Sequence, residues 1–199
     1  SLLIIFLLIS TTLILLYLNS IAILSILMYL LISLAYIFFI KNIPYLEFLF
    51  LPLVYVIRID LGSKIIDVNS SFLMLLCTFL ISTFFLLLKR IGELNLFQNK
   101  NEYNTRKVLK YYSLFWLKIF AICLSVLLLI LIIQYSFFQN TYLLIILPMI
   151  LFFLFRYYYV TNNNSKGEFP INVILNDKIL ISNLIITFII LLIIYVYLI

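Results

Sequence analysis

The chain has 199 residues, of which 67% are hydrophobic and 10% charged, with three glycines, two cysteines and no histidine. Apolar runs of eighteen residues or more recur along it, which excludes a soluble domain, and their lack of polar alternation excludes a membrane β-barrel. The net charge of +6 sits mostly in the connections, so it reports orientation and anionic ligands rather than nucleic acid.

The expected fold class is all-α: a polytopic transmembrane helical bundle in one domain, residues 1–199, with about seven spans. At about 20 residues per crossing, residues 1–40 are long enough for two helices, Leu2 to Leu18 and Ile21 to Ile40, divided by Asn19-Ser20. A short loop with Lys41 and Pro44 leads to a third helix, Pro44 to Leu61, which Pro52 is expected to kink. Gly62 to Ser70 links it to a fourth helix, Phe72 to Leu88. A charged loop is expected from Lys89 to Tyr112, then a fifth helix from Ser113 to Gln134 and a turn over Tyr135 to Asn140. The sixth helix runs from Tyr142 to Val160, with a mild break at Pro148. An Asn-rich loop, Thr161 to Lys178, precedes the seventh, Ile179 to Ile199.

In this arrangement the connections after the second, fourth and sixth helices share one side and carry Lys41, Lys89, Arg90, Lys100, Arg106, Lys107, Lys110, Arg156, Lys166 and Lys178. The opposite side holds Lys64, with Arg58 near a helix end. That bias places the charged loops, and Ser1, in the cytoplasm. Cys77 and Cys123 lie in apolar runs without ligand spacing and are expected to be buried thiols. Without histidine, the usual general base and transition-metal ligand are missing.

Two charged clusters interrupt the apolar sequence. In Lys89-Arg90-Ile91-Gly92-Glu93-Leu94, Glu93 stands four residues after Lys89 and three after Arg90, so a continuing helix would put all three on one face. Arg106, Lys107 and Lys110 repeat the device. Such groups either set topology or line a site for an anionic substrate at the membrane surface. Arg58 and Asp60 are expected to snorkel outward, and Tyr111, Tyr112, Trp116 and Tyr157 to Tyr159 to form an aromatic belt. Asp177, just before the last helix, suits a helix cap. The fourth, fifth and seventh helices carry few polar residues beyond small hydroxyls, which fits an interfacial enzyme better than a transporter.

Several motifs stand in a fixed order: Tyr36 to Lys41, then Glu47; Ile57-Arg58 and Gly62; Lys89, Arg90, Glu93 and Leu94; Arg106, Lys107, Leu109 and Tyr112; Arg156-Tyr157; and Gly167, Pro170 and Asp177. From about Tyr29 onward the chain resembles the UbiA-type membrane prenyltransferase superfamily, in its decaprenyl-phosphate phosphoribosyltransferase branch. Two departures from that branch are Glu47 in place of an aspartate and Ile91-Gly92 within the second motif. The resemblance implies a nine-span helical fold around a cavity, with a magnesium ion gripping the donor's pyrophosphate through an Asp-rich motif. That motif is absent here and is expected upstream of Ser1, together with two further helices.

The implied reaction moves a 5-phosphoribosyl group from phosphoribosyl pyrophosphate to a polyprenyl phosphate. On that basis Arg90 and Glu93 are expected catalytic residues, and Lys89, Arg90, Arg106, Lys107, Arg156, Asp177 and Lys41 substrate-binding ones. Glu93 is a possible magnesium ligand. The expected partners are both substrates and membrane lipid, with no nucleic acid, and the resemblance implies a bacterial inner membrane as the location. Two alternatives stay open. One is a prenyltransferase acting on an aromatic or lipid acceptor, against which stands the missing second Asp-rich motif. The other is a non-catalytic membrane protein or degenerate fragment.

Overall fold

The structure is a computed structural model that describes residues 20–40, 43–66, 68–100, 109, 111–139, 141–163 and 170–198. The described residues are helical throughout, with no strand among them. The helices are α1 (Ser20–Phe38), α2 (Glu47–Ile65), α3 (Phe72–Lys100), α4 (Leu114–Gln139), α5 (Leu147–Asn163), α6 (Pro170–Asn176) and α7 (Lys178–Leu198). A 3₁₀ segment, Thr141–Ile146, runs directly into α5. Three stretches, Phe72–Leu96, Leu114–Phe138 and Thr141–Asn162, are long and apolar enough to cross a membrane, and Ile26–Phe38 and Lys178–Ile194 are shorter apolar helices. The chain is therefore a helical membrane protein by length and composition. The expected first helix, Leu2 to Leu18, lies outside the described residues.

Helix α3 is the axis of the bundle and packs against α2, α4 and α5. Its buried residues Phe84, Leu87, Leu88 and Ile91 recur at intervals of three and four, which lines them up on one face. That face meets Ala121 and Leu128 of α4 and Leu154 and Tyr157 of α5 in the main core. Polar side chains in the α3 run satisfy themselves locally. The hydroxyls of Thr78, Ser82 and Thr83 donate to the carbonyls of Met74, Thr78 and Phe79, one turn earlier.

The largest departure from the sequence expectation is that α3 does not stop at Leu88. It continues as helix to Lys100, so the whole Lys89 to Leu94 stretch is helical rather than loop. Lysine, arginine and glutamate are good helix formers, no proline intervenes, and Arg90 finds buried partners that repay its desolvation. Helix α2 begins at Glu47 rather than Pro44, because the chain turns through Tyr45, whose φ of 68° lies in the left-handed region. Pro52 is buried inside α2 without ending it. The expected turn at Tyr135 is helical as far as Gln139, and the join of the 3₁₀ segment to α5 falls next to Pro148. The expected Asn-rich loop contains α6, and Asp177 caps α7 by accepting from the backbone N–H of Ile179 at 2.9 Å and of Leu180 at 3.4 Å.

Outward faces are apolar, as in Leu31, Phe115, Phe155 and Phe188, and suit contact with lipid tails. Tyr111 and Trp116 are exposed, as an aromatic belt requires. Tyr112 and Tyr157, expected in the same belt, are instead buried: Tyr157 packs between Phe153 and Phe85, with ring centroids at 6.0 and 5.1 Å. The thiols also differ from expectation, since Cys77 is half-buried and Cys123 is exposed on α4. An apolar thiol on a lipid-facing helix needs no burial in protein, which is why its apolar surroundings in sequence misled.

Leu88→Ala should cost about 2 kcal/mol or more of stability through the cavity it leaves against α4 and α5. Ile186→Ala, on the outward face of α7, should cost far less. Unfolding of purified protein by titration from mild detergent into sodium dodecyl sulfate measures both.

Candidate functional site

Three charged residues, Glu47, Arg90 and Glu93, meet where the first turn of α2, the later part of α3 and the approach to α4 come together. Arg90 and Glu47 are each only 2% exposed. The Arg90 guanidinium grips the Glu47 carboxylate with two parallel bonds, Nε to Oε1 at 2.7 Å and Nη2 to Oε2 at 2.6 Å. Its Nη1 donates to Glu93 Oε2, one turn along α3. The Tyr112 hydroxyl donates to Glu47 Oε1 at 2.8 Å and accepts from the Tyr45 backbone N–H at 3.1 Å. Tyr45 in turn donates its own hydroxyl to the Tyr111 carbonyl at 3.0 Å and sets its ring edge-on to Tyr112. The left-handed backbone at Tyr45 is held by these bonds on both sides of the residue.

Two carboxylates thus face one guanidinium, and the cluster is not an anion cradle. Burial pushes the Tyr112 phenol well above its ordinary range; the bond from the Tyr45 N–H opposes this, and the Glu47 carboxylate adds to it. The phenol therefore stays a donor to Glu47 at any physiological pH. Glu93 is 12% exposed, and only its Oε2 is bound to Arg90.

Two hollows hold the other expected site residues that the structure describes. The first, about 430 Å³, runs between α2 and α3 and is lined by Leu51, Pro52, Tyr55, Ser82, Phe85, Leu86, Lys89 and Ile174. Lys89 is its one charged wall residue, at the end nearer Glu93. The second, about 380 Å³, is more polar and is lined by Arg156, Asn172, Asn176, Asp177 and Lys178 with Val160, Val173 and Ile179. In it Arg156 binds Asp177 through Nε at 3.0 Å and Nη2 at 2.9 Å, and its guanidinium lies 5.8 Å from the Tyr159 ring centroid. Helix α6 lines both hollows, with Ile174 in the wall of the first and Asn172, Val173 and Asn176 in the wall of the second. The ends of α3 and α5 are joined nearby by Asn95, which donates to the Asn162 carbonyl at 3.4 Å.

Of the residues expected at the site, Arg90 and Glu93 come together in the buried cluster, Lys89 in the first hollow, and Arg156 and Asp177 in the second. Arg106, Lys107 and Lys41 lie outside the described residues, as does the Asp-rich motif expected upstream. Arg90 is enclosed by protein, so it reaches a ligand only through Glu93. Glu47, noted in the sequence as a motif acid, proves to be the principal partner of Arg90. Tyr45 and Asn172 carry no expected role from the sequence, although Asn172 stands one helical turn before Asn176. At the far end of α2, Arg58 and Asp60 do not simply reach outward. Arg58 donates to the Tyr29 hydroxyl and lies over the Tyr29 and Tyr55 rings, and Asp60 pairs with Lys64 at 2.7 Å and accepts from Ser70 at 2.9 Å.

Magnesium, implied by the resemblance, needs several oxygen ligands. Among the described residues no three metal-ligating side chains come together, and Glu47 and Glu93 are both engaged by Arg90. The described residues alone do not make a magnesium site.

Fold and site define a helical membrane protein with a buried ionic latch and two hollows, one largely apolar and one polar. The chain matches no protein-family model and no curated protein.

Arg90→Ala, which strands Glu47 unpaired, should cost about 3–5 kcal/mol, whereas Glu47→Gln combined with Arg90→Met should recover most of that loss. Detergent-titration unfolding of the three proteins tests the pair. The raised Tyr112 value also sets a pH effect. The folded state holds this proton more tightly than the unfolded state, so the associated stability is complete below the ordinary tyrosine value of about 10. It is lost as pH climbs toward the folded value. The stability difference between wild type and Tyr112→Phe should therefore shrink above that pH and stay constant below it.

Proposed function

We propose that this protein is a membrane transferase that moves a 5-phosphoribosyl group from phosphoribosyl pyrophosphate to a polyprenyl phosphate. The observation that carries the reading is Lys89: an ammonium group on the wall of an otherwise largely apolar groove, one helical turn from the mostly buried carboxylate of Glu93. A lipid with an anionic end matches that combination of walls, with its tail along Leu51, Tyr55, Phe85 and Leu86 and its phosphate at Lys89. The polar hollow of Arg156, Asn172, Asn176 and Lys178 suits a hydroxylated, anionic and water-soluble donor. The ordered motifs that resemble the phosphoribosyltransferase branch supply Lys89 of the groove, Arg156 and Asp177 of the polar hollow, and Glu93.

In the proposed reaction an oxygen of the acceptor phosphate attacks C1 of the ribose. The bond from C1 to the pyrophosphate oxygen breaks, and pyrophosphate leaves with the electron pair. The attacking group is already an anion, so no general base is required, which agrees with a chain devoid of histidine. Charge grows on the leaving pyrophosphate, and fixed cations oppose it. Lys89 holds the acceptor, and Arg156 and Lys178 lie at the donor's hollow. Arg106, Lys107 and Lys41 are added to the phosphate-binding set on the resemblance alone. Magnesium enters the proposal on the resemblance alone, as the companion of the donor's pyrophosphate. The proposed setting is a bacterial inner membrane with the latch end facing the cytoplasm.

In membranes containing the full-length protein, label from [¹⁴C]phosphoribosyl pyrophosphate should pass to added polyprenyl phosphate. Glu93→Ala and Arg90→Ala should each abolish that transfer and Lys89→Ala should reduce it at least tenfold, with the Glu93 and Lys89 variants still present at normal level by immunoblot. A panel in which only labelled prenyl pyrophosphate is consumed would replace this reading with a prenyltransferase. Transfer unchanged in the Glu93 and Arg90 variants would remove the site assignment.

A further inference from the structure

Lys89 and Glu93 stand one turn apart on α3, about 6 Å along the axis, at the spacing where a lysine and a glutamate ordinarily pair. They do not pair. Glu93 gives its Oε2 to Arg90, and Lys89 has no ion pair among the described residues. The cause lies across the helix boundary. Arg90 is fixed by two bonds to Glu47, and Glu47 is fixed by the Tyr112 hydroxyl. Arg90 therefore has no freedom to turn away, and its Nη1 points along α3 toward Glu93. A planar guanidinium on a rigid mount outcompetes a flexible ammonium for the same carboxylate.

We infer that Glu47, Arg90 and Tyr112 are positioning residues whose task is to hold Glu93 off Lys89, so that the Lys89 ammonium stays unneutralised at the groove for a phosphate-bearing lipid. This rests on the proposed function for the identity of the lipid, but the diversion of Glu93 stands on the geometry alone. Without the mount, Glu93 swings to its neighbour of the opposite sign and closes the site with an internal ion pair. Arg90 then binds no substrate. It acts by occupying an acid.

The reactivity of Lys89 reports this directly, because only the unpaired, deprotonated amine is acylated and an adjacent carboxylate suppresses that form. Full-length protein in detergent is treated with limiting N-acetoxysuccinimide at fixed pH, and acetylation of Lys89 is followed by mass spectrometry. Glu47→Gln combined with Arg90→Met removes the buried pair together, so neither charge is stranded. In that protein the Lys89 rate should fall about three- to tenfold. Adding Glu93→Gln should restore it to within about twofold of wild type, a rescue that a merely structural role for Arg90 does not predict. An unchanged rate in the double variant, or no recovery in the triple one, overturns the inference.

If the double variant fails to fold, Glu93→Gln alone decides, since it leaves the Arg90–Glu47 bond in place. Its Lys89 rate should match wild type within about twofold, whereas a several-fold rise would show that Glu93 was neutralising Lys89 all along. An absence of transfer by the wild type defeats the proposed function and leaves the labelling result intact. Labelling that fails while transfer persists defeats the inference alone.

Discussion

The two-bond contact between Arg90 and Glu47 is the constraint on which the described end of the bundle depends. Withdrawing an arginine and a glutamate from water is expensive, and their attraction offsets that cost only when the geometry is good and the remaining polar atoms are occupied. Here they are: Glu47 also takes the Tyr112 hydroxyl, and Arg90 also takes Glu93. Because the partners come from the first turn of α2, the last third of α3 and the approach to α4, satisfying one pair of charges fixes three chain segments against each other. The left-handed backbone at Tyr45 belongs to the same bargain, since its N–H and its ring both close on Tyr112.

Much of this fold is legible in the sequence because lipid-spanning helices are written in composition. The long apolar runs after Phe72, Ser113 and Tyr142 are found where hydropathy places them. Boundaries fail where a polar residue is mistaken for a terminator. Lys89 to Leu94 looks like a loop only if charge implies solvent, and Arg90 escapes that rule by pairing with Glu47, 43 residues away in sequence. No local pattern encodes such a distant pairing. For the same reason Tyr112 reads as an interfacial aromatic beside Tyr111, though its hydroxyl is committed to a buried carboxylate.

The site residues divide in the same manner. Arg156 and Asp177 were paired in expectation by a shared end of the bundle, and they do bind each other. Lys89, Arg90 and Glu93, by contrast, look equivalent as neighbouring charges on one stretch and turn out to differ in surroundings: one lines a groove, one is enclosed, one lies at the edge. A turn of helix is 3.6 residues, so adjacent positions on α3 point about 100° apart and face separate neighbours. Side-chain roles in a run of like charges follow from that rotation rather than from the charges themselves.

Helix α6 is two turns long, yet it forms a wall of both hollows, with its isoleucine on the greasy side and its asparagines on the wet side. Lengthening or shifting it by one residue would rotate the amides toward the lipid passage and the isoleucine toward water, exchanging the character of the two chambers without touching a charged group.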